Sequence, residues 1–309
     1  KYRSITMASG SQITNSDLNS LRSAIDTILN GTGVHGGYNQ SHSISGNPSS
    51  GDTVDDAYHD SLYSAAAKIS NYYNIANPFT AVDAGTTVTW THYGSSASSY
   101  ISDINTRFNN PWSYSDWDTS VQNETSETVS NWNGSRVQTV KFAFGSEANM
   151  NAWFSAGGEL RVSASHSDAS SNQQGTSWEQ LTSELGTFTY SVRPQDSSSV
   201  DARTRYKYSD LTGSWVEHKK EIADDSDYSA NYLTVEAYKS GGDLYIRTSL
   251  HDAHVARSGS GSGYGGAWSW TGADTVPGTS TVTIASKKLT NASGSVLLTN
   301  PTASVTDAL

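Results

Sequence analysis

The chain has 309 residues, enough to bury a substantial core in one or two domains. Only 16% of them are charged and 35% hydrophobic, with Ser, Thr, Gly and Asn filling the difference beside 9 Trp and 17 Tyr. A net charge of −11 argues against nucleic-acid partners, the absence of Cys removes thiol catalysis and Cys-based metal sites, and no apolar run approaches the ~20 residues of a membrane-spanning helix.

The sequence opens at Lys1 rather than Met, without a basic–apolar–small leader, consistent with upstream sequence that is processed or missing. Thr14-Asn15-Ser16-Asp17 offers a capping box, and Leu18, Leu21, Ile25, Ile28 and Leu29 follow at helical spacing up to a stop at Gly31. About 41 residues on, SLYSAAAKI (61–69) echoes SLRSAIDTI (20–28). A second capping-box candidate, Thr53 to Asp56, precedes it, so the spacing predicts paired helices over Thr14–Asn30 and Thr53–Tyr73. Their apolar stripes would pack on each other, on the rest of the chain or on a neighbour, making Leu18, Leu21, Ile25 and Ile28 a candidate assembly face. A strand-like TTVTW (86–90) follows, then a helix with Tyr100, Ile101, Ile104 and Phe108 on one side, ended before Pro111. Residues 111–133 read as a polar, aromatic linker that becomes the first strand of a β-domain.

From Val137 onward strands dominate. Val140, Phe142 and Phe144 alternate with polar residues, as do Leu160, Val162 and Ala164, and Phe188, Tyr190 and Val192. That period of two marks strands with one buried face. Asn149 to Phe154 suits a short helix ending at Gly157-Gly158, where positive φ is tolerated. Further strands are predicted at 204–208, 214–218, 232–238, 243–250, 280–285 and 295–298, with Ser-Gly-Gly-Asp (240–243) as a hairpin turn. Leu233, Val235, Ala237, Leu244, Ile246 and Leu250 would face inward.

The unit over 137–192 (strand, short aromatic helix, Gly-Gly-Glu, strand ending Ser-Ala-Ser, Trp-bearing helix, Gly-Thr) resembles a segment of virion structural proteins of tailed bacteriophages, as found in marine and cyanobacterial phages. The opening Ile13-Thr14, Leu21-Arg22 and Gly37-Tyr38-Asn39-Gln40, and the stretch 228–290, resemble the same proteins. The resemblance implies a structural component of the tail, fibre or baseplate, with the head next. It would partner itself as a homo-oligomer and other virion proteins.

The remaining constellations carry little chemistry. His251 and His254 would point to opposite faces of a continuing strand, with no third ligand in reach of the spacing. Asp224, Asp225 and Asp227 lack the Gly and Glu of a calcium loop and read as a solvated turn. Carboxylate pairs can be drawn from Asp116, Asp118, Glu124, Glu127, Glu159 and Glu179, but their separation is not written in sequence; Glu159 itself sits at an ordinary polar strand position. No nucleophile elbow, H-E-x-x-H or P-loop appears. The loop 257–270, with Tyr264, Trp268 and Trp270, reads equally as a contact loop or as a long hairpin folding back on its own domain.

The expectation is an α+β chain: a helical docking module (1–110), a linker (111–133) and a mostly antiparallel, jelly-roll-like β-sandwich (134–309). Its expected role is non-enzymatic, without catalytic residues, cofactor or metal. The rival reading is a carbohydrate-binding adhesin that takes a host surface glycan, and a head-associated decoration protein is the second alternative.

Overall fold

A computed structural model describes residues 14–33, 36–42, 56–73, 75–77, 79–83, 119–169, 172–192, 204–254, 258–263, 266–271, 275–289 and 300–309, with a few isolated positions between them. They fall into two compact units, one within 1–120, 146–158 and 288–300, the other within 121–145, 159–287 and 301–309. The class is α+β. The expected strand at 86–90, the helix around 100–108 and the strand at 295–298 lie wholly or almost wholly outside the described residues.

The first unit is built on α1 (Asn15–Asn30) and α2 (Asp56–Tyr73). Thr14 closes the expected capping box: its Oγ accepts from Asp17 N at 3.2 Å while the Asp17 carboxylate accepts from Thr14 N at 3.2 Å. Such a cap is worth about 1 kcal/mol. The repeat in the sequence emerges as matching buried stripes, Leu21, Ala24, Ile25 and Ile28 on α1 against Leu62, Ala65, Ala66 and Ile69 on α2. Gly31 ends α1, though not through a left-handed turn, because its φ is −57°. A Cβ there would collide with the Gly36 carbonyl, and the chain returns so closely that Tyr38 N and Gln40 N donate to Ile28 O and Leu29 O at 2.9 and 2.7 Å. The Gly-Tyr-Asn-Gln loop thus satisfies the orphan carbonyls of the helix end. Tyr38 is then buried against Tyr72 and Tyr73, its hydroxyl bonded to that of Tyr73.

Helix α3 (Glu147–Ser155) is also part of this unit, N-capped by Ser146, whose Oγ accepts from Asn149 N at 3.1 Å. Asn151 donates to Thr32 O at 3.0 Å, and Tyr72 donates to Ala156 O. Gly157 has φ +87°, as the sequence anticipates, while Gly158 lies against the Trp153 ring, 2.4 Å from where a Cβ would stand.

The second unit holds two five-stranded sheets. Its strands are β1 (Thr119–Trp132), β2 (Ser135–Ala143), β3 (Glu159–Ser167), β4 (Thr187–Ser191), β5 (Thr204–Lys207), β6 (Val216–Ile222), β7 (Tyr232–Ser240), β8 (Asp243–His251), β11 (Val276–Leu289) and β12 (Thr302–Asp307). Between β8 and β11 the chain forms a two-stranded ribbon of β9 (Ser258–Gly263) and β10 (Gly266–Thr271), and α4 (Gln173–Leu185) lies between β3 and β4 in sequence. Sheet A runs β1-β11-β3-β4-β5 and sheet B runs β12-β2-β8-β7-β6. Both are antiparallel apart from the parallel β4–β5 pair. The expected linker ends in β1, a 14-residue strand.

The period of two is realised as expected. Val140 pairs with Ile246 and Phe142 with Leu244, while Leu233, Val235 and Ala237 are buried on β7 beside them. In sheet A the buried row is Leu160, Val162, Val282 and Ile284. Gly241 (φ +59°) and Gly242 make the two-residue turn that pairs Ser240 with Asp243. On the outer side of sheet A, hydroxyls pair across β1 and β11: Ser126–Thr283 at 3.1 Å, Thr128–Thr281 at 3.1 Å and Ser130–Thr279 at 2.9 Å. Asn131 (φ 48°) then breaks the alternation and turns Trp132 inward, where it meets Trp178 of α4 edge-on at 4.9 Å.

Candidate functional site

The outer face of sheet B concentrates the chemistry of the second unit. Tyr238 on β7 and Tyr245 on β8 are register partners, and their rings stack at 4.4 Å and 3°. Trp215, just before β6, meets Tyr238 edge-on at 4.6 Å, and the Arg247 guanidinium covers Trp215 at 4.4 Å. At the other end Lys141 of β2, the register partner of Tyr245, holds its ammonium 5.6 Å from that ring. Both cations are neutralised within the face, Lys141 by Asp243 at 2.6 Å and Arg247 by Glu236 at 2.8 Å. The hydrogen bond to Asp243 raises the Lys141 pKa above the usual lysine value, and burial followed by the neighbouring Tyr245 raises that of Tyr238. A second group lies near the far end of the same strands: Tyr232 stacks on His251 at 4.5 Å, Lys220 sits 4.1 Å from the Tyr232 ring, and His251 bonds Ser135 Oγ at 2.7 Å.

This arrangement is a cation–aromatic stack closed at both ends. The ring faces are largely taken by each other and by Arg247 and Lys141, which leaves ring edges and paired charges toward solvent. Its hydroxyl–imidazole pair, Ser135 Oγ with His251 Nδ1 at 2.7 Å, is exposed, and Tyr232 stacks on the imidazole ring. A second such pair is Ser280 Oγ with His166 Nδ1 at 2.8 Å on sheet A's inward side, but Ser280 is fully buried and also accepts from Trp132 Nε1 at 3.0 Å. That hydroxyl is a structural junction with no path to a substrate.

The other sequence candidates fall elsewhere. Leu18, Leu21, Ile25 and Ile28 are at most 2% exposed, packed in the core of the first unit with α2. They are therefore spent inside the chain and are not an outward assembly face; two similar stripes complement each other before any neighbour can. Tyr264 lies outside the described residues, as do the side chains of Trp268 and Trp270; the backbone sets those two tryptophans opposite Gly261 and Gly259 in the β9–β10 ribbon. His251 ends β8, whereas His254 lies beyond the strand, 5.0 Å from Tyr228. Between them Asp252 is buried and accepts from Gln174 Nε2 at 3.3 Å, with burial raising its pKa.

Asp225 and Asp224 accept from Gln173 and Gln180 at 2.9 and 3.1 Å, so the acidic turn is a docking point for α4. The Gln173 bond lowers the Asp225 pKa. Glu159 departs from the ordinary polar position expected of it: it is 3% exposed, with Arg161 at 2.6 Å and Arg205 at 3.3 Å. Glu179 accepts from Asp168 N at 3.0 Å and steadies the turn before α4. Asp116 and Asp118 lie outside the described residues. Among the described residues no group of three or more His, Asp or Glu is placed to hold a metal ion.

Sequence reasoning missed the Lys141–Tyr245–Tyr238–Trp215–Arg247 row. Its signal was available: counting back from the two-residue turn at Gly241-Gly242 pairs Tyr238 with Tyr245 and Glu236 with Arg247. No protein-family model, no curated protein and no solved structure matches the chain.

Proposed function

We propose that the chain is a non-enzymatic structural component of a tailed-phage virion, in the tail, fibre or baseplate, acting through repeated protein–protein contacts. The observation that carries this reading is the closed aromatic stack on sheet B. Rigid Tyr, Trp and Arg side chains with little entropy left to lose are what protein interfaces enrich. Repeating a modest patch by symmetry makes attachment firm, since later contacts form at high effective concentration. The resemblance over 137–192 supports the same reading. That segment is β2–α3–β3–α4–β4, and the residues carrying it have structural jobs: Gly158 against Trp153, Glu159 between two arginines, Trp178 on Trp132.

In this reading the two sheets pack face to face as a sandwich with jelly-roll-like crossings at β1→β2 and β2→β3. Its support is the apolar row on each sheet and contacts that join them at two places. Gln138 of β2 reaches Thr125 of β1 at 3.5 Å, and His218 of β6 lies 3.9 Å from Tyr206 of β5 and 5.7 Å from Tyr190 of β4.

A carbohydrate-binding adhesin is the weaker reading of this face, because sugar stacking wants an open ring face and these are covered. Quantitative mass spectrometry of purified particles tests the proposal. The expected result is the intact chain at several copies per particle, surviving a high-salt wash. Its absence from washed particles, or saturable binding of the purified chain on a glycan array with no particle association, would reject the structural role.

A further inference from the structure

We infer that the outer edge of β1 is a pairing edge for a second copy of this chain, joining two sheets A into one continuous ten-stranded sheet. A sheet edge exposes a row of backbone donors and acceptors, and natural proteins protect such rows. Three of the four edges here carry protection. β5 has only four residues. β6 has seven, with a register break at Glu217/Lys219 and Lys219 and Lys220 along it. β12 has six, with a break between Val305 and Asp307. β1 differs in its length: it runs for 14 residues, TSVQNETSETVSNW, without Lys, Arg or Pro, its charged residues being Glu124 and Glu127. Among the described residues β11 is its sole strand neighbour.

The edge matches itself better than it matches a strand of arbitrary chemistry. Antiparallel pairing about a two-fold axis at Ser126 keeps exposed residues of both copies on one face, because like-numbered parities meet. It also sets Glu124 and Glu127 of one copy opposite Thr128 and Thr125 of the other, so no two carboxylates oppose each other. The cross-strand pattern then continues the chemistry already present between β1 and β11, where hydroxyls pair across the strands. This inference goes beyond the virion reading and does not need it.

The chain lacks Cys, so one introduced thiol reports its own neighbour. Paired antiparallel residues stand about 4.5–5.5 Å apart at Cα, within the roughly 4.4–6.8 Å that a disulfide spans. In the purified full-length chain, Ser126→Cys should give a covalent dimer on mild oxidation, whereas Ser165→Cys, exposed on interior strand β3, should stay monomeric. Unmodified chain should sediment as a dimer, with β1 amides exchanging at least tenfold more slowly at high than at low concentration. Ser126→Lys, which brings two ammonium groups together at the axis, should return the monomer with a native circular-dichroism spectrum. A chain that is monomeric at all concentrations, or a dimer with unprotected β1 amides and no Ser126 cross-link, overturns the inference. Monomeric chain recovered from washed particles would do so while leaving the virion reading standing.

Discussion

The outer faces of the two sheets cover similar apolar rows with opposite chemistries. Sheet A presents short hydroxyl pairs, Ser126–Thr283, Thr128–Thr281 and Ser130–Thr279, each neutral and satisfied one to one. Sheet B presents a stack of large rings closed by Lys141 and Arg247. Any partner on sheet A's face must strip water from hydroxyls that gain little in return. A partner on sheet B's face covers ring area that water already solvates poorly. The first chemistry favours water and the second favours contact, which is why the contact is proposed to lie on sheet B.

The largest expected effect lies under sheet A. Trp132→Ala removes the packing on Trp178 and the bond to Ser280, and should cost about 3–5 kcal/mol in denaturant unfolding. A loss below about 1 kcal/mol would mean that the inward turn at Asn131 is not what joins α4 to this sheet.

Acid should strain both sheets through one histidine each, His166 on β3 and His218 on β6. Burial lowers both pKa values, so the folded state resists a proton that the unfolded chain accepts near pH 6.5. Their stabilisation is complete above that value and is lost as pH falls through it, at no more than about 1.4 kcal/mol per pH unit for each histidine. His166→Gln should flatten the slope of melting temperature between pH 7 and 5; an unchanged slope would clear His166 of the effect.

Smaller still is the coupling within the stack. A double-mutant cycle on Tyr238→Ala and Tyr245→Ala should give about 0.5–1.5 kcal/mol, and additivity would show two rings that merely coincide. The same cycle on Thr128→Ala and Thr281→Ala should fall at the low end of about 0.2–1 kcal/mol. Equal couplings on the two faces would erase the contrast between them.

Much of this was legible from residues alone. Thr14 and Asp17 announce the first helix, the echo of 20–28 in 61–69 announces its partner, and alternation at Val140–Phe144 and Leu160–Val162 gives the buried faces. What stayed hidden is set by through-space geometry. Arg161 lies two residues from Glu159, but Arg205 arrives from a different strand, so a carboxylate that reads as solvated is buried and doubly paired. Gln173, Gln174 and Gln180 reach three aspartates far along the chain, which no local spacing encodes. The inward stripe of α1 was open to α2, to the rest of the chain or to a neighbour, since amphipathicity names a face and not its occupant.

Cross-linking mass spectrometry on intact particles tests the contact face most directly, because Lys141 and Lys220 stand beside its rings. These two lysines should link to another virion protein or to a second copy of the chain. Links from both lysines confined to their own chain, in particles that contain the protein, would contradict a contact on this face.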